Sequence, residues 1–329
     1  MWAAASLRWP GVALCGVIAL AASFVAGLHR GPQLLYALAF GIGLHLLAAE
    51  PKVQPGLAFC SRTLLRVGVA LLGARITMVQ IAALGWTTAA FVVAGVVSTI
   101  TLGLLLARRM GLSGSAGLLS GGATAICGAS AALALAAVLP RSRENERTTL
   151  VVIVSVTTLS TLAMLVYPLI ARALGLAPAP AGLFLGGSIH DVAQVVGAGS
   201  ALGPATADQA TIVKLLRISL LAAVVMAVSV SGLARQGLPA EAARPPLLPG
   251  FLWAFVALVA LNSLGWLPAG TQNALAELSR LCLVLAIAAL GVTTSFAMLV
   301  QAGWRLFALL VVETVWLAAV MLAAAVRLS

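Results

Sequence analysis

Charge is what this sequence has least of. Only 8% of its 329 residues are Asp, Glu, Lys or Arg, against roughly a quarter in soluble domains, so a water-solvated globular fold is excluded. Cysteines are few and scattered. Cys15, Cys60, Cys127 and Cys282 form no CxxC pair and have no histidine at metal spacing, which excludes a disulfide framework and a zinc site, and no metal is expected. A GxxxxGK[ST] phosphate loop is absent, so no nucleotide site of that kind and no cofactor is expected. Long polar stretches are missing too. The longest runs from Gln236 to Pro246, which leaves no room for an attached soluble domain, and residues 1–329 read as a single membrane domain.

What remains is apolar. Hydrophobic residues make up 62% of the chain and mean hydropathy is +1.13, the composition of an all-α polytopic membrane protein. The net charge of +11 raises the question of nucleic acid, but the basic residues stand in short groups beside hydrophobic runs, as cytoplasmic anchors do. The expected surroundings are therefore a lipid bilayer, not a nucleic acid. The first run, after Arg8, is long and leads straight into another, so it reads as a first span and not as a cleaved signal.

Runs able to cross the roughly 30 Å hydrocarbon layer lie near 10–28, 32–48, 62–82, 86–107, 148–171, 209–235, 249–267, 278–300 and 305–327. Two glycine-rich segments, near 112–139 and 181–203, bring the count of membrane helices to between 9 and 11. Internal repeats are visible. Ser61 to Trp86 aligns with Ser279 to Trp304 at a constant offset of 218, sharing Ser61/Ser279, Arg62/Arg280, Gly73/Gly291 and Trp86/Trp304 among others. Ala116 to Gly122 aligns with Ala181 to Gly187. The repeat-related segments are thus 61–107 with 279–327 and 112–171 with 181–235.

Positive charge orders the glycine-rich segments. Arg108 and Arg109 precede the first, and Arg141, Arg143 and Arg147 follow it; both flanks belong on the cytoplasmic side. A re-entrant hairpin satisfies that, whereas a broken crossing helix does not. Counting spans then opposes the two hairpins and makes both repeats inverted. Broken crossing helices fit the segment lengths equally well and remain the alternative.

Helix-breaking backbone at membrane depth survives only inside protein or against a water-filled cavity, and interrupted segments in two repeats point to a transporter's substrate site. In the first segment Ser120, Gly121, Gly122, Thr124, Cys127, Gly128 and Ser130 offer hydroxyls, small side chains and the amides of a restarted helix, a combination that suits an oxyanion. Close packing of helices through small residues is the competing explanation. The second segment offers Gly187, Ser188 and Gln194, with His190 and Asp191 as a pair able to carry a coupling proton; Asp191 could instead cap the restarted helix. Lys214 and Arg217, three residues apart on one helical face, read as counter-charges to an anion. Glu313 lies mid-span in the last helix, where an ion pair with Arg75 can be imagined.

Cys127-Gly-Ala-Ser130, Gly187-Ser-Ile-His-Asp-Val-Ala-Gln-Val-Val-Gly-Ala-Gly199, Val213-Lys-Leu-Leu-Arg217, Leu64-Leu-Arg-Val-Gly68 and Leu72-Gly-Ala-Arg-Ile-Thr77 together resemble a family of bacterial inner-membrane proteins designated sulfate exporters. The resemblance covers essentially the whole chain. Where that family's pattern has a glutamate after the histidine, this sequence has Asp191. The resemblance implies a secondary transporter in the inner membrane, exporting sulfate or a related sulfur oxyanion, distantly akin to the cation antiporters and bile-acid symporters, which use broken crossing helices. The expected function is transport of a small inorganic or sulfonate-like anion, coupled to protons or sodium, with no enzymatic activity. A cation/proton antiporter using Asp191 is the alternative; an intramembrane enzyme built on Cys127 and His190 is the other. Assembly into homo-oligomers is left open.

Overall fold

The structure, a computed structural model, describes residues 2–29, 31–140, 142–230, 250–294 and 304–329. Arg141, the Gln236 to Pro246 stretch, the end of the predicted 278–300 span and the repeat position Gly303 lie outside the described residues. All regular structure among the described residues is helical. Among the described residues seven helices are long and apolar enough to cross a membrane: α1 (Trp2–His29), α3 (Gln54–Leu72), α5 (Gly85–Arg109), α8 (Arg143–Ala173), α11 (Pro204–Val230), α13 (Ala269–Thr293) and α14 (Trp304–Arg327). Two shorter apolar helices, α2 (Gln33–Gly43) and α12 (Gly250–Ser263), stand where the sequence predicts spans.

The predicted span over 62–82 is displaced toward the N-terminus. Pro55 starts α3 in its first turn, where a missing amide costs nothing, and the helix passes through a π turn at Phe59–Leu64 and stops at Leu72. Thr77 then opens a separate helix, α4 (Met78–Ala83), through a capping box: the Gln80 amide donates to Thr77 Oγ1 at 3.3 Å and the Thr77 amide to Gln80 Oε1 at 2.9 Å.

One compact unit comprises residues 1–84, 196–203 and 249–294. Its helices cross where glycines meet, Gly11 against Gly56 and Gly41 against Gly291, and a Cβ at any of the four would run into the partner's backbone. Within a membrane, helix association relies on such close van der Waals approach because lipid tails are as apolar as leucine. Ser279 adds a hydrogen bond across this unit, its hydroxyl donating to Gly68 O at 2.6 Å.

The second unit comprises 85–195, 204–248 and 295–329. Here the first glycine-rich segment forms α6 (Gly114–Ala125) and α7 (Ala129–Ala136), and the second forms α9 (Pro178–Ser188) and the start of α10 (Val192–Ser200), whose residues from Val196 on are counted with the first unit. The first folds back on itself. Asn145 accepts from Ser115 Oγ at 2.7 Å and donates to Pro140 O at 2.8 Å, so the start of α6 and the chain beyond α7 are at one end, and the Leu135 side chain lies over Gly122. In the second, Gly182 and Gly186 of α9 abut Gln209 and Ala210 to Val213 of α11. Those two helices run in the same direction, so the chain between them must retrace their length. Helix α8 lies antiparallel to α9, with the Tyr167 ring tilted against Phe184 at 5.2 Å between centroids and Ser160 reaching His190. The two hairpins consequently approach from opposite ends and meet at their tips. Leu118, Leu119, Leu135, Leu139, Val152 and Val156 form the apolar packing beneath the first of them.

Candidate functional site

Each hairpin tip is a break in a helix, and the two breaks have different local causes. At the first, Gly128 takes φ 62°, ψ −124°, a combination that L side chains avoid; it stops α6 and lets α7 restart. At the second no glycine is needed, because side chains take over the amides. Ile189 is extended, the amides of His190 and Asp191 donate to Ser160 Oγ at 3.2 and 3.1 Å, and the Ala193 amide donates to Asp191 Oδ1 at 2.9 Å. Asp191 is thus an N-cap for α10, as its residue type favours. The tips touch: a Cβ on Gly128 would meet the His190 Cβ at 3.5 Å.

Helix ends leave carbonyls unpaired, a severe cost without water. Two basic side chains of α11 answer it. Lys214 Nζ donates to Ile126 O at 2.6 Å and Ile189 O at 2.9 Å. Arg217 makes five hydrogen bonds: Nε to Ala125 O (3.0 Å), Nη1 to Gly186 O (3.1 Å) and Ile189 O (3.0 Å), and Nη2 to Thr124 O (3.0 Å) and Ala125 O (2.7 Å). A guanidinium carries five N–H donors, so every one is engaged. Both side chains are fully buried. They also face the negative ends of two half-helix dipoles, where a cation is favoured. The sequence reading gave them to an anionic substrate; in the structure Arg217 is committed to backbone, and Lys214 has one donor beyond its two carbonyl bonds.

Helix α14 supplies a second polar layer. Glu313 is fully buried, and its oxygens accept from Ser120 Oγ at 2.7 Å and Thr124 Oγ1 at 3.2 Å. His190 sets Nδ1 against Thr124 O and Nε2 against Thr314 Oγ1, both at 3.1 Å. Thr124 O also accepts from Arg217, so one residue ties the cation, the imidazole and the carboxyl group together.

The predicted site residues therefore divide. Ser120, Thr124, His190, Asp191, Lys214 and Arg217 converge at the tips, and Cys127 lies within electrostatic range of Lys214, Arg217 and Asp191. Ser130 is exposed in the first turn of α7. Gln194 sits deeper, its amide donating to Thr161 Oγ1 at 2.8 Å while its Oε1 has no partner. Ser188 turns back to Phe184 O at 2.5 Å. Gly121, Gly122 and Gly187, expected along the substrate, are instead closed over by Ile100, Leu135 and Met321 respectively; close packing explains them. Sequence reasoning missed Ser160, Thr161 and Thr314. A signal existed in the run Ser155-Val-Thr-Thr-Leu-Ser-Thr161, where hydroxyls recur on the buried face of an otherwise apolar helix. Among the described residues no group of side chains is placed to hold a metal ion.

Residues 10–310 match the family model described as conserved hypothetical protein 698. The UPF0324 membrane protein TauZ of Paracoccus pantotrophus is 48% identical over 94% of this chain and 92% of its own length. UPF0324 membrane proteins of Chlorobaculum tepidum (45% identical, 98% of this chain, 90% of its own) and Rhizobium meliloti (43%, 95% and 91%) are similar throughout as well. No solved structure matches.

Proposed function

The chain belongs to the UPF0324 family of multi-pass bacterial membrane proteins, and from that premise we propose that it is a secondary transporter of a small oxyanion in the inner membrane, with sulfate and sulfonate-like anions as its substrate class. The observation that carries this reading is the unequal treatment of the four half-helix ends at the hairpin tips. Both carbonyl ends are bound by Lys214 and Arg217, and the amide end of α10 is taken by Ser160 and Asp191. At the amide end of α7 the Ala131 amide is turned to the Cys127 sulfur, which leaves the amides of Ala129 and Ser130 for a ligand. First-turn amides have no partner inside their own helix, and a helix N-terminus attracts anions. Ser130 adds an exposed hydroxyl there, and Lys214 and Arg217 lie behind it on the carbonyls that precede the break.

The tips are re-entrant in this reading and the two halves of the unit are inverted repeats, supported by the opposed directions of α8 and α9 and by the common end shared by Ser115, Pro140 and Asn145. The longer repeat has support of its own. Gly73 and Gly291, its mates at an offset of 218, lie against backbone carbonyls of the two short helices, Phe255 O of α12 and Leu38 O of α2, within one residue of corresponding positions. Enzymatic chemistry is not part of the proposal: both ring nitrogens of His190 are engaged away from Cys127, which speaks against a Cys127–His190 nucleophile–base pair.

Equilibrium binding of sulfate, sulfite, thiosulfate, taurine and bicarbonate to the purified protein tests the assignment, alongside Ser130→Asp. A carboxylate in the first turn suits a helix N-terminus, so the variant folds while its own negative charge occupies the site. Binding by the wild type and loss in the variant are expected; undiminished binding in the variant removes α7 from the site.

A further inference from the structure

We propose that Glu313, with His190, is the binding site for the proton that drives this transporter, an inference that deepens the carrier reading and depends on it for the word "drives". Ionisable side chains in the interior of a membrane segment are costly and mark proton or substrate paths. Among the described residues Glu313 is the one buried carboxyl with 0% exposure, and its hydrogen-bond partners are two hydroxyls, not a cation.

The hydroxyls are arranged so that either form of the carboxyl group is fully bonded. With the proton absent, Ser120 Oγ and Thr124 Oγ1 both donate to Glu313. When a proton binds a Glu313 oxygen, the new O–H donates to Ser120 Oγ, and the Ser120 hydroxyl turns to Gly117 O, 3.3 Å away. Release reverses the two movements. One proton enters, none is created, and no buried group loses its partner, which would otherwise cost about 1–3 kcal/mol.

His190 has the same provision. Thr124 O only accepts, so Nδ1 carries hydrogen in both forms. Thr314 Oγ1 lies 3.1 Å from Nε2 and 2.7 Å from Leu310 O: it donates to a bare Nε2, or, when Nε2 carries a proton, accepts from it and donates to Leu310 O. Glu313 and Thr314 are neighbours on α14, and Thr124 joins the two groups from the other side, its hydroxyl on Glu313 and its carbonyl on His190.

The surroundings isolate this pair. Helix α5 meets Glu313 with Gly103, where a Cβ would lie 2.5 Å from its Oε1, and α6 meets it with Ser120 and Thr124. Helices α8 and α9, also packed on α14, bring no buried ionisable side chain to it. Arg217 stands behind the Thr124 carbonyl, and Lys214, Cys127 and Asp191 lie around Arg217 and His190. Asp191 is occupied in capping α10, which makes it the weaker candidate for carrying the proton.

The test has two arms. Infrared difference spectra of the purified protein between acid and alkaline buffer should contain a carboxylic C=O band that is missing in Glu313→Gln and shifted in Glu313→Asp. In proteoliposomes, Glu313→Gln should exchange labelled sulfate across the membrane yet lose accumulation driven by an imposed pH gradient, while Glu313→Asp keeps it. Gradient-driven accumulation by Glu313→Gln equal to wild type overturns the proposal. If the wild type exchanges no oxyanion, the carrier reading fails by itself, and the infrared arm still decides: a pH-dependent band assigned by the two variants upholds proton binding at Glu313, and an unchanged spectrum in Glu313→Gln refutes it.

Discussion

Removing Arg217 should unfasten the two hairpin tips, and the size of the effect follows from which carbonyls are left alone. Ile189 O keeps Lys214, and Thr124 O keeps His190 Nδ1. Among the described residues Ala125 O and Gly186 O have no such second side chain. The usual helical partner of Gly186 O is the His190 amide, which goes instead to Ser160, and that of Ala125 O would be the amide of Ala129, beyond the break. Two orphaned carbonyls in a dry interior cost about 1–3 kcal/mol each, hence about 2–6 kcal/mol together, a large part of the 5–15 kcal/mol typical of a folded domain. Arg217→Gln should therefore lower the thermal unfolding midpoint in detergent, followed by tryptophan fluorescence or by loss of the monodisperse peak, in the absence of any anion. Arg217→Lys should fall between, since an ammonium has three donors and no planar fork. If Arg217→Gln unfolds at the wild-type temperature and merely binds anion less well, the residue is a substrate ligand and the fastening argument is wrong.

Asp191→Asn should preserve stability, because Asn also caps helices, whereas Asp191→Ala should cost about 1 kcal/mol; equal midpoints for the two variants would remove the capping role. Gly128→Ala should destabilise by about 1–3 kcal/mol through backbone strain alone, read from the same unfolding curves, and a neutral outcome would mean that the tip is not held at its positive φ. Cysteines placed at Arg143 or Arg147 should resist a membrane-impermeant thiol reagent in intact cells and react in inside-out vesicles, as should one at Arg109; labelling of either flank in intact cells would break the re-entrant topology.

Much of the second unit could be read in the sequence because its determinants are local. Arg108, Arg109, Arg143 and Arg147 bracket the first glycine-rich segment, which is what suggests a common side for its flanks, and Ser115 and Asn145, close to those charges in sequence, are hydrogen-bonded to each other. The breaks at Gly128 and His190-Asp191 were legible for the same reason, since glycine, histidine and aspartate are out of place in an apolar helix. Partners were not legible. A lysine and an arginine in a membrane segment look like counter-charges to a ligand until the carbonyl ends of α6 and α9 are seen to converge on them, which is a property of two hairpins meeting and not of α11. Glu313 likewise announced that it was costly, but not that Ser120 and Thr124, nearly two hundred residues away, would receive it. The start of α3 was missed because Lys52, Pro55 and Arg62 lower the local hydropathy, while Pro55 is in fact a favourable first-turn residue.

Counterflow of labelled sulfate into proteoliposomes preloaded with an unlabelled oxyanion, wild type against Ser130→Asp, tests the central claim most directly. The account predicts saturable exchange by the wild type, absent from protein-free liposomes and lost in a variant that remains folded. Exchange undiminished by Ser130→Asp, or a folded wild type that exchanges none of sulfate, sulfite, thiosulfate or taurine, would contradict an oxyanion site at the start of α7.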